Sequence, residues 1–277
     1  MPGFVAAGTA CGVKASGADD LAMVATADGS PVIAAGVFTS NKMTAPPVLV
    51  TRKHLAATGG RAAAVVLNSG NANAATGAAG MADAELMCVL TAEAIGCTPD
   101  EVLVCSTGLI GFPLPMDRIV SAIPTLAGEL TDDGGPAAAR AIMTTDTVPR
   151  TTTVTGTTLD GGTFTIGGVA KGAAMLEPNM ATMLAVLTTD ALLDAPAATG
   201  ALRAAVGVSF NCLTVDGAES TNDTVLLLAS GAAGPVEADQ FDGLLADACR
   251  DLAVQMADDA EGSTKTVFLT VTGAATD

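Results

Sequence analysis

Residues 183–187 read MLAVL, apolar at every position, and a single threonine, Thr182, separates this run from the polar, proline-bearing turn before it. Side chains alternate between the two faces of a strand, so a run without a polar position leaves neither face for solvent. Such a strand needs cover on both sides. A second sheet on one side and a layer of helices on the other would supply it, which restricts the chain to layered architectures.

Further apolar runs bounded by Gly, Asn and Pro predict strands at 63–68, 102–106, 151–158, 163–168, 183–188, 224–229 and 265–272. Helical spacing falls between them: Phe241, Leu244, Leu245, Ala248 and Leu252 share one helical face, as do Met81, Ala84, Met87 and Leu90. Pro115 and Pro196 suit first helical turns. The stretch TDDGGPAAA at 131–139 reads as a loop inside one domain. Some strands follow one another through short Gly turns, whereas others alternate with helices. The mixture predicts an α/β (α+β) layered sandwich rather than a doubly wound sheet.

Composition removes several functions. The 277 residues include 29 acidic and 12 basic ones, a net charge of −17. Nucleic acid is a poor partner for such a chain, because phosphate contacts need clustered Lys and Arg. No apolar stretch reaches the roughly 18 residues of a membrane span, and the first residues lack the basic and apolar regions of a secretory signal. The expectation is a cytoplasmic protein with no membrane partner. Cys11, Cys88, Cys97, Cys105, Cys212 and Cys249 are scattered, without a C-x-x-C pair or nearby histidines, and predict buried reduced thiols and no metal site. The Gly-rich stretch GGTFTIGGVAKGAA lacks the order of a phosphate loop. The one histidine, His54, stands beside Arg52 and Lys53 and reads as a solvated helix start. An enzyme built on this chain therefore takes its base from something other than imidazole.

Thr182 offers a way to do so. Attack of its hydroxyl on the preceding carbonyl of Ala181 would turn the peptide into an ester, and hydrolysis would free Thr182 as a new N-terminus. An α-amine with an ordinary pKa of about 7.7–8.0 would then stand next to its own hydroxyl, an arrangement that activates threonine without histidine. From the residues alone, a threonine that simply opens a buried strand is the plainer reading.

The stretch GGVAKGAAMLEPNMATMLAVLTTDA resembles the self-cleaving segment of the bifunctional ornithine acetyltransferase / N-acetylglutamate synthase family of arginine biosynthesis. GVKASGADDLAMV, AGVFTSNKMTAPPV, NSGNANAATG, CSTGLIGFPLPMD, AIMTTDTVPR, STNDTVLLLASG and DAEGSTKTV look like family motifs in family order, so the likeness spans essentially the whole chain. It implies an Ntn-hydrolase-like αββα fold over 1–277, cut into an α chain (1–181) and a β chain (182–277) that assemble as an α2β2 heterotetramer. It implies acetyl transfer from acetylornithine to glutamate, with Thr182 carrying the acetyl group and Thr107 and Gly108 stabilising the oxyanion. Thr144, Lys171, Thr182 and Glu261 match positions that hold the amino-acid substrate, with Thr145 as the alternative to its neighbour. No cofactor is implied, and acetyl-CoA enters only as a further acetyl donor in some members.

The residues carry plainer meanings too. Thr107–Gly108 could be an ordinary strand-ending turn, and Lys171 and Glu261 solvated charges. Ala174 and Ala75 stand where the family more often has Gly and Cys, and family members continue beyond VTGAATD into a C-terminal domain that closes over the substrate. Acetyl transfer is thus set against two rivals: an aminopeptidase-type hydrolase of the same broad fold, and a fragment that only folds or binds.

Overall fold

The computed structural model describes residues 1–175 and 183–273. The cleavage site expected at Ala181 and Thr182 lies outside the described residues. Chain order runs β1 (Phe4–Thr9), β2 (Leu21–Thr26), β3 (Val32–Phe38), α1 (Pro46–Ala57), β4 (Arg61–Ala62), β5 (Ala64–Asn71), α2 (Gly77–Ile95) and β6 (Val102–Leu109). It continues through α3 (Met116–Gly128), α4 (Gly135–Ala141), β7 (Arg150–Thr157), β8 (Thr163–Lys171), β9 (Leu184–Leu192), α5 (Ala195–Gly207), β10 (Thr224–Pro235) and α6 (Ala238–Asp258). Two sheets form, one ordered β1-β2-β5-β6 and the other β4-β3-β10-β9-β8-β7.

The apolar run after Thr182 becomes β9, parallel to β10 on one side and antiparallel to β8 on the other. Its two faces enter different cores, as period-2 alternation requires. Leu184 and Val186 meet Phe4, Val24, Leu67 and Leu103 of the four-stranded sheet. Ala185 and Leu187 pack with Leu202 of α5 and with Phe241, Leu245 and Leu252 of α6. On the far side of the four-stranded sheet, Met23, Val66 and Val104 pack against Met87 of α2 and Ile119 and Ile123 of α3. The order of layers is α, β, β, α. This is the arrangement expected from one fully apolar strand.

Some local expectations needed correction. The stretch 131–139 is not all loop: Pro136 occupies a first helical turn and the alanines after it form α4, whose buried Ala138 and Ala141 insert between the sheets. No strand forms at 265–272. Val267, Phe268, Leu269 and Val271 are exposed there, and an extended segment without a neighbouring ladder has no strand to join. Ala-rich β1, β2 and β3 were not anticipated. All six cysteines are free, but only Cys88, Cys105 and Cys249 are buried; Cys212 sits on an exposed turn after α5. His54 is no solvated helix start. It lies in the last turn of α1, fully buried, with Nδ1 2.7 Å from the Val102 carbonyl and Nε2 3.1 Å from Glu85.

Candidate active site

The C-terminal end of β8 lies beside the start of β9 through the pairing Lys171↔Leu184. Residues 171 and 184, on either side of the stretch that contains Thr182, are thus neighbours in the six-stranded sheet. The ends of β5 and β6 reach the same place from the other sheet. There the parallel pairs Ser69↔Thr107 and Gly70↔Gly108 give way to a register shift at Asn71. Gly108 is obligatory at this point: its φ is +130°, and a Cβ would fall 2.3 Å from the Gly70 carbonyl carbon.

Lys171 is almost fully buried at this junction. Its Nζ donates to Thr144 Oγ1 at 2.6 Å and to Thr107 Oγ1 at 3.4 Å, and lies 3.7 Å from Asp146 Oδ2. Thr107, Thr144 and Lys171 are thus brought together, and Thr144 rather than Thr145 meets the ammonium. Buried charges persist when they are paired and hydrogen-bonded, and here the pairing falls to Asp146. Its carboxylate accepts the Thr144 and Gly172 amides at 2.8 Å each and an ion pair from the buried Arg150, which also holds Asp259 at 2.6 Å. Burial pushes the Asp146 carboxyl up, but Lys171, the two amides and Arg150 outweigh it and hold it at about 2. Burial in turn pulls Lys171 down, against the attraction of Asp146.

A cleft of about 420 Å³ opens over this cluster, lined by Lys14, Thr107, Gly108, Thr145, Lys171 and Glu261 among others. Glu261 lines it from the segment after α6, fastened by its own N–H to the Ala173 carbonyl at 2.7 Å. Lys14 is delivered by a loop that wraps the buried Asp20 carboxylate, which accepts the amides of Cys11, Gly12 and Lys14. The cleft therefore presents hydroxyls, ammonium groups and one carboxylate, a set suited to an amino acid with both charges.

Two carboxyls escaped the reading of the sequence. Asp146 and Asp223 lie in the stretches AIMTTDTVPR and STNDTVLLLASG, and the signal available was a single acid inside each Thr-rich motif. Asp223 Oδ1 accepts the Met183 amide at 2.7 Å, and the Met183 carbonyl accepts the Thr224 amide at 3.1 Å. The residue following Thr182 is thereby gripped on both sides. Asn222 donates to the Ala72 and Ser106 carbonyls at 2.6 and 2.9 Å, tying the same corner to the residue before Thr107.

Comparison with known proteins agrees with this geometry. The family model described as ArgJ family matches residues 5–277. The arginine biosynthesis bifunctional protein ArgJ of Mycolicibacterium paratuberculosis is 50% identical, over 99% of this chain and 68% of that relative. Its namesake in Streptomyces coelicolor is 49% identical, over 99% and 70%. Among solved structures, ornithine acetyltransferase of Mycobacterium tuberculosis complexed with ornithine matches with TM-score 0.59 and 43% identity, over 66% of this chain and 93% of that one. The L-aminopeptidase D-Ala-esterase/amidase of Ochrobactrum anthropi, a variant of the Ntn hydrolase fold, matches with TM-score 0.58 at 14% identity, over 95% and 87%. That last likeness speaks for the fold alone, which is Ntn-hydrolase-like. Among the described residues no helix is long and apolar enough to cross a membrane. The chain belongs to the ArgJ family of arginine biosynthesis and is an acyltransferase-class enzyme.

Proposed function

We propose that the chain moves the acetyl group of N2-acetylornithine to glutamate through an acetyl ester on Thr182. The observation that carries the reading is the buried Lys171 ammonium held against the hydroxyls of Thr144 and Thr107 beneath an open cleft. Two α-amino acids alternate in such a reaction, and both offer an α-carboxylate to Lys171 and Thr144. Glu261 suits the free side-chain amine of acetylornithine.

Maturation comes first in this account. Thr182 Oγ adds to the Ala181 carbonyl, the C–N bond breaks, and the nitrogen leaves as the α-amine of Thr182. Water then hydrolyses the ester and restores the hydroxyl. The solved ornithine acetyltransferase chain supports this order: nearly all of it is matched by only 66% of the present chain, although curated relatives are longer than the present chain. A family polypeptide that is cut in two would look this way, and the two pieces would assemble as an α2β2 heterotetramer.

In transfer, the α-amine takes the Oγ proton as Oγ bonds to the acetyl carbon. The acetamide C–N bond breaks, and the departing ornithine amine receives that proton. Glutamate then enters, and its amine attacks the ester while its proton passes back to Oγ through the α-amine. The Thr107 hydroxyl and the Gly108 N–H stabilise the oxyanion in both halves, as preorganised donors at a strand end can. Acetyl-CoA would act as a second donor to the same hydroxyl, and the reaction runs in the cytoplasm without a cofactor or metal.

Product analysis tests the reading. Incubation with acetylornithine and isotopically labelled glutamate should yield labelled N-acetylglutamate and free ornithine in equal amounts. Ornithine with acetate and no acetylglutamate would make the protein a hydrolase, the activity suggested by its aminopeptidase fold relatives.

A further inference from the structure

The acyl-enzyme scheme, on which this inference rests, leaves one buried acid unused. Asp223 is fully buried just before β10; its Oδ1 accepts the Met183 amide at 2.7 Å and the Ser220 hydroxyl also favours its charged form, while Oδ2 has no hydrogen-bond partner among the described residues. A buried carboxyl oxygen without a partner is costly in a structural role. The amide that Asp223 does hold is the nitrogen bonded to the Thr182 carbonyl carbon. Asn222, its chain neighbour, bonds the Ser106 carbonyl at 2.9 Å and so fixes Asp223 relative to Thr107.

We propose that Asp223 is the positioning carboxyl of the Thr182 centre, with Oδ1 fixing the Met183 amide and Oδ2 receiving the α-ammonium that forms at residue 182. The proton that leaves Oγ during acetyl transfer goes to the α-amine. A carboxylate beside that nitrogen balances the positive charge until the departing ornithine amine takes the proton, and Asp223 ends the cycle as it began. Burial raises the Asp223 carboxyl to about 8, against the Met183 amide, the Ser220 hydroxyl and Lys171. It is thus neutral in the uncut chain near neutrality and ionises when an ammonium appears beside it, which suits a group that meets its partner only after cleavage.

The sign of the pH effect follows. An adjacent carboxylate favours the protonated amine and raises its pKa. Transfer needs the free amine, so the rate climbs as pH rises through that pKa. Removing the carboxylate moves this acid limb to lower pH.

The test compares the wild-type chain with Asp223→Asn in single-turnover acetylation by acetylornithine, followed by mass spectrometry across pH. The amide keeps an oxygen for the Met183 N–H but cannot carry charge. The expected result is acetylation slowed about a hundred-fold, with half-saturation by acetylornithine unchanged and the acid limb displaced to lower pH; Asp223→Glu should recover part of the rate and part of the displacement. Wild-type rate and an unmoved acid limb in Asp223→Asn would overturn the proposal while leaving the acyl-enzyme intact. An Asp223→Asn chain that failed to fold would also contradict it, because an isosteric neutral group should satisfy this site. Absence of an acetyl adduct on the wild-type chain would instead remove the acyl-enzyme reading and the role of Asp223 with it.

Discussion

Asp146 and Asp223 are the same residue type, both are buried, and both act on Lys171, yet their carboxyls are driven in opposite directions. Asp146 accepts two backbone amides and faces Arg150 and Lys171, and is held at about 2. Asp223 has one amide, the Ser220 hydroxyl, a weaker pull from Lys171 and an oxygen without a hydrogen-bond partner among the described residues, and is raised to about 8. Burial penalises both, the more deeply buried Asp223 most, and the donors around Asp146 outweigh that penalty where those around Asp223 do not. A carboxylate enclosed by donors is finished architecture; one left half-bonded has capacity to spare. Asp146 sets Lys171 and Thr144 in place, whereas Asp223 answers to chemistry at the next residue.

Breaking the better-partnered acid should have the largest effect. Asp146→Asn leaves Lys171 buried without its counter-charge and Arg150 with Asp259 alone, and should cost about 3–5 kcal/mol of stability, read by chemical denaturation. A loss under about 1 kcal/mol would mean that Asp146 is not the anchor of the cluster. Thr107→Ala comes next: removal of one preorganised donor should slow Thr182 acetylation about a hundred-fold with the melting temperature nearly unchanged. Acetylation at the wild-type rate would take the hydroxyl out of the oxyanion site.

Acidity sharpens the contrast. The Asp146 carboxyl is depressed in the folded protein, so its contribution is full above pH 4 and fades as pH falls toward 2, a loss of about 2 kcal/mol. The Asp223 carboxyl is raised, so the folded state holds its proton longer and stability declines as pH climbs from about 4 toward 8. Unfolding of the uncut Thr182→Ala chain measured from pH 2 to 8 should therefore pass through a maximum on the acid side of neutrality, and adding Asp223→Asn should flatten the alkaline slope alone. A flat alkaline slope in the uncut Thr182→Ala chain would erase the asymmetry between the two acids.

The remaining imidazole provides the smallest effect on chemistry. His54→Ala removes one buried and one half-buried hydrogen bond and should cost about 1–3 kcal/mol of stability, while the acetylation rate per folded molecule stays within about twofold of wild type. A collapse of that rate with the fold intact would return the proton to histidine.

The layered fold was legible because β9 has no polar position within 183–187, a pattern that only double-sided burial satisfies. The strands at 102–106 and 224–229 were legible for a similar reason, each a largely apolar run bounded by turn residues. β1, β2 and β3 were not, since their Ala and Gly content gives little strand preference until neighbours supply the ladder. Of the site, Thr107, Thr144 and Lys171 converge as their motifs implied, although no spacing in the sequence brings them together; they arrive from β6, from the loop after α4 and from β8. Asp146 and Asp223 stayed hidden because a lone acid in a Thr-rich motif looks like a surface charge. His54 was misread for a related reason: flanking Arg52 and Lys53 are exposed, but the helix turns His54 inward.

The acyl-enzyme mechanism stands or falls on where the acetyl group is carried. Intact-mass analysis of the mature protein after brief exposure to acetylornithine reads this directly. Two chains divided between Ala181 and Thr182 are predicted, with one acetyl group on the chain that begins at Thr182, and a single unacetylated chain for Thr182→Ala. An acetyl group on any other residue, or none on the wild-type protein, would contradict it.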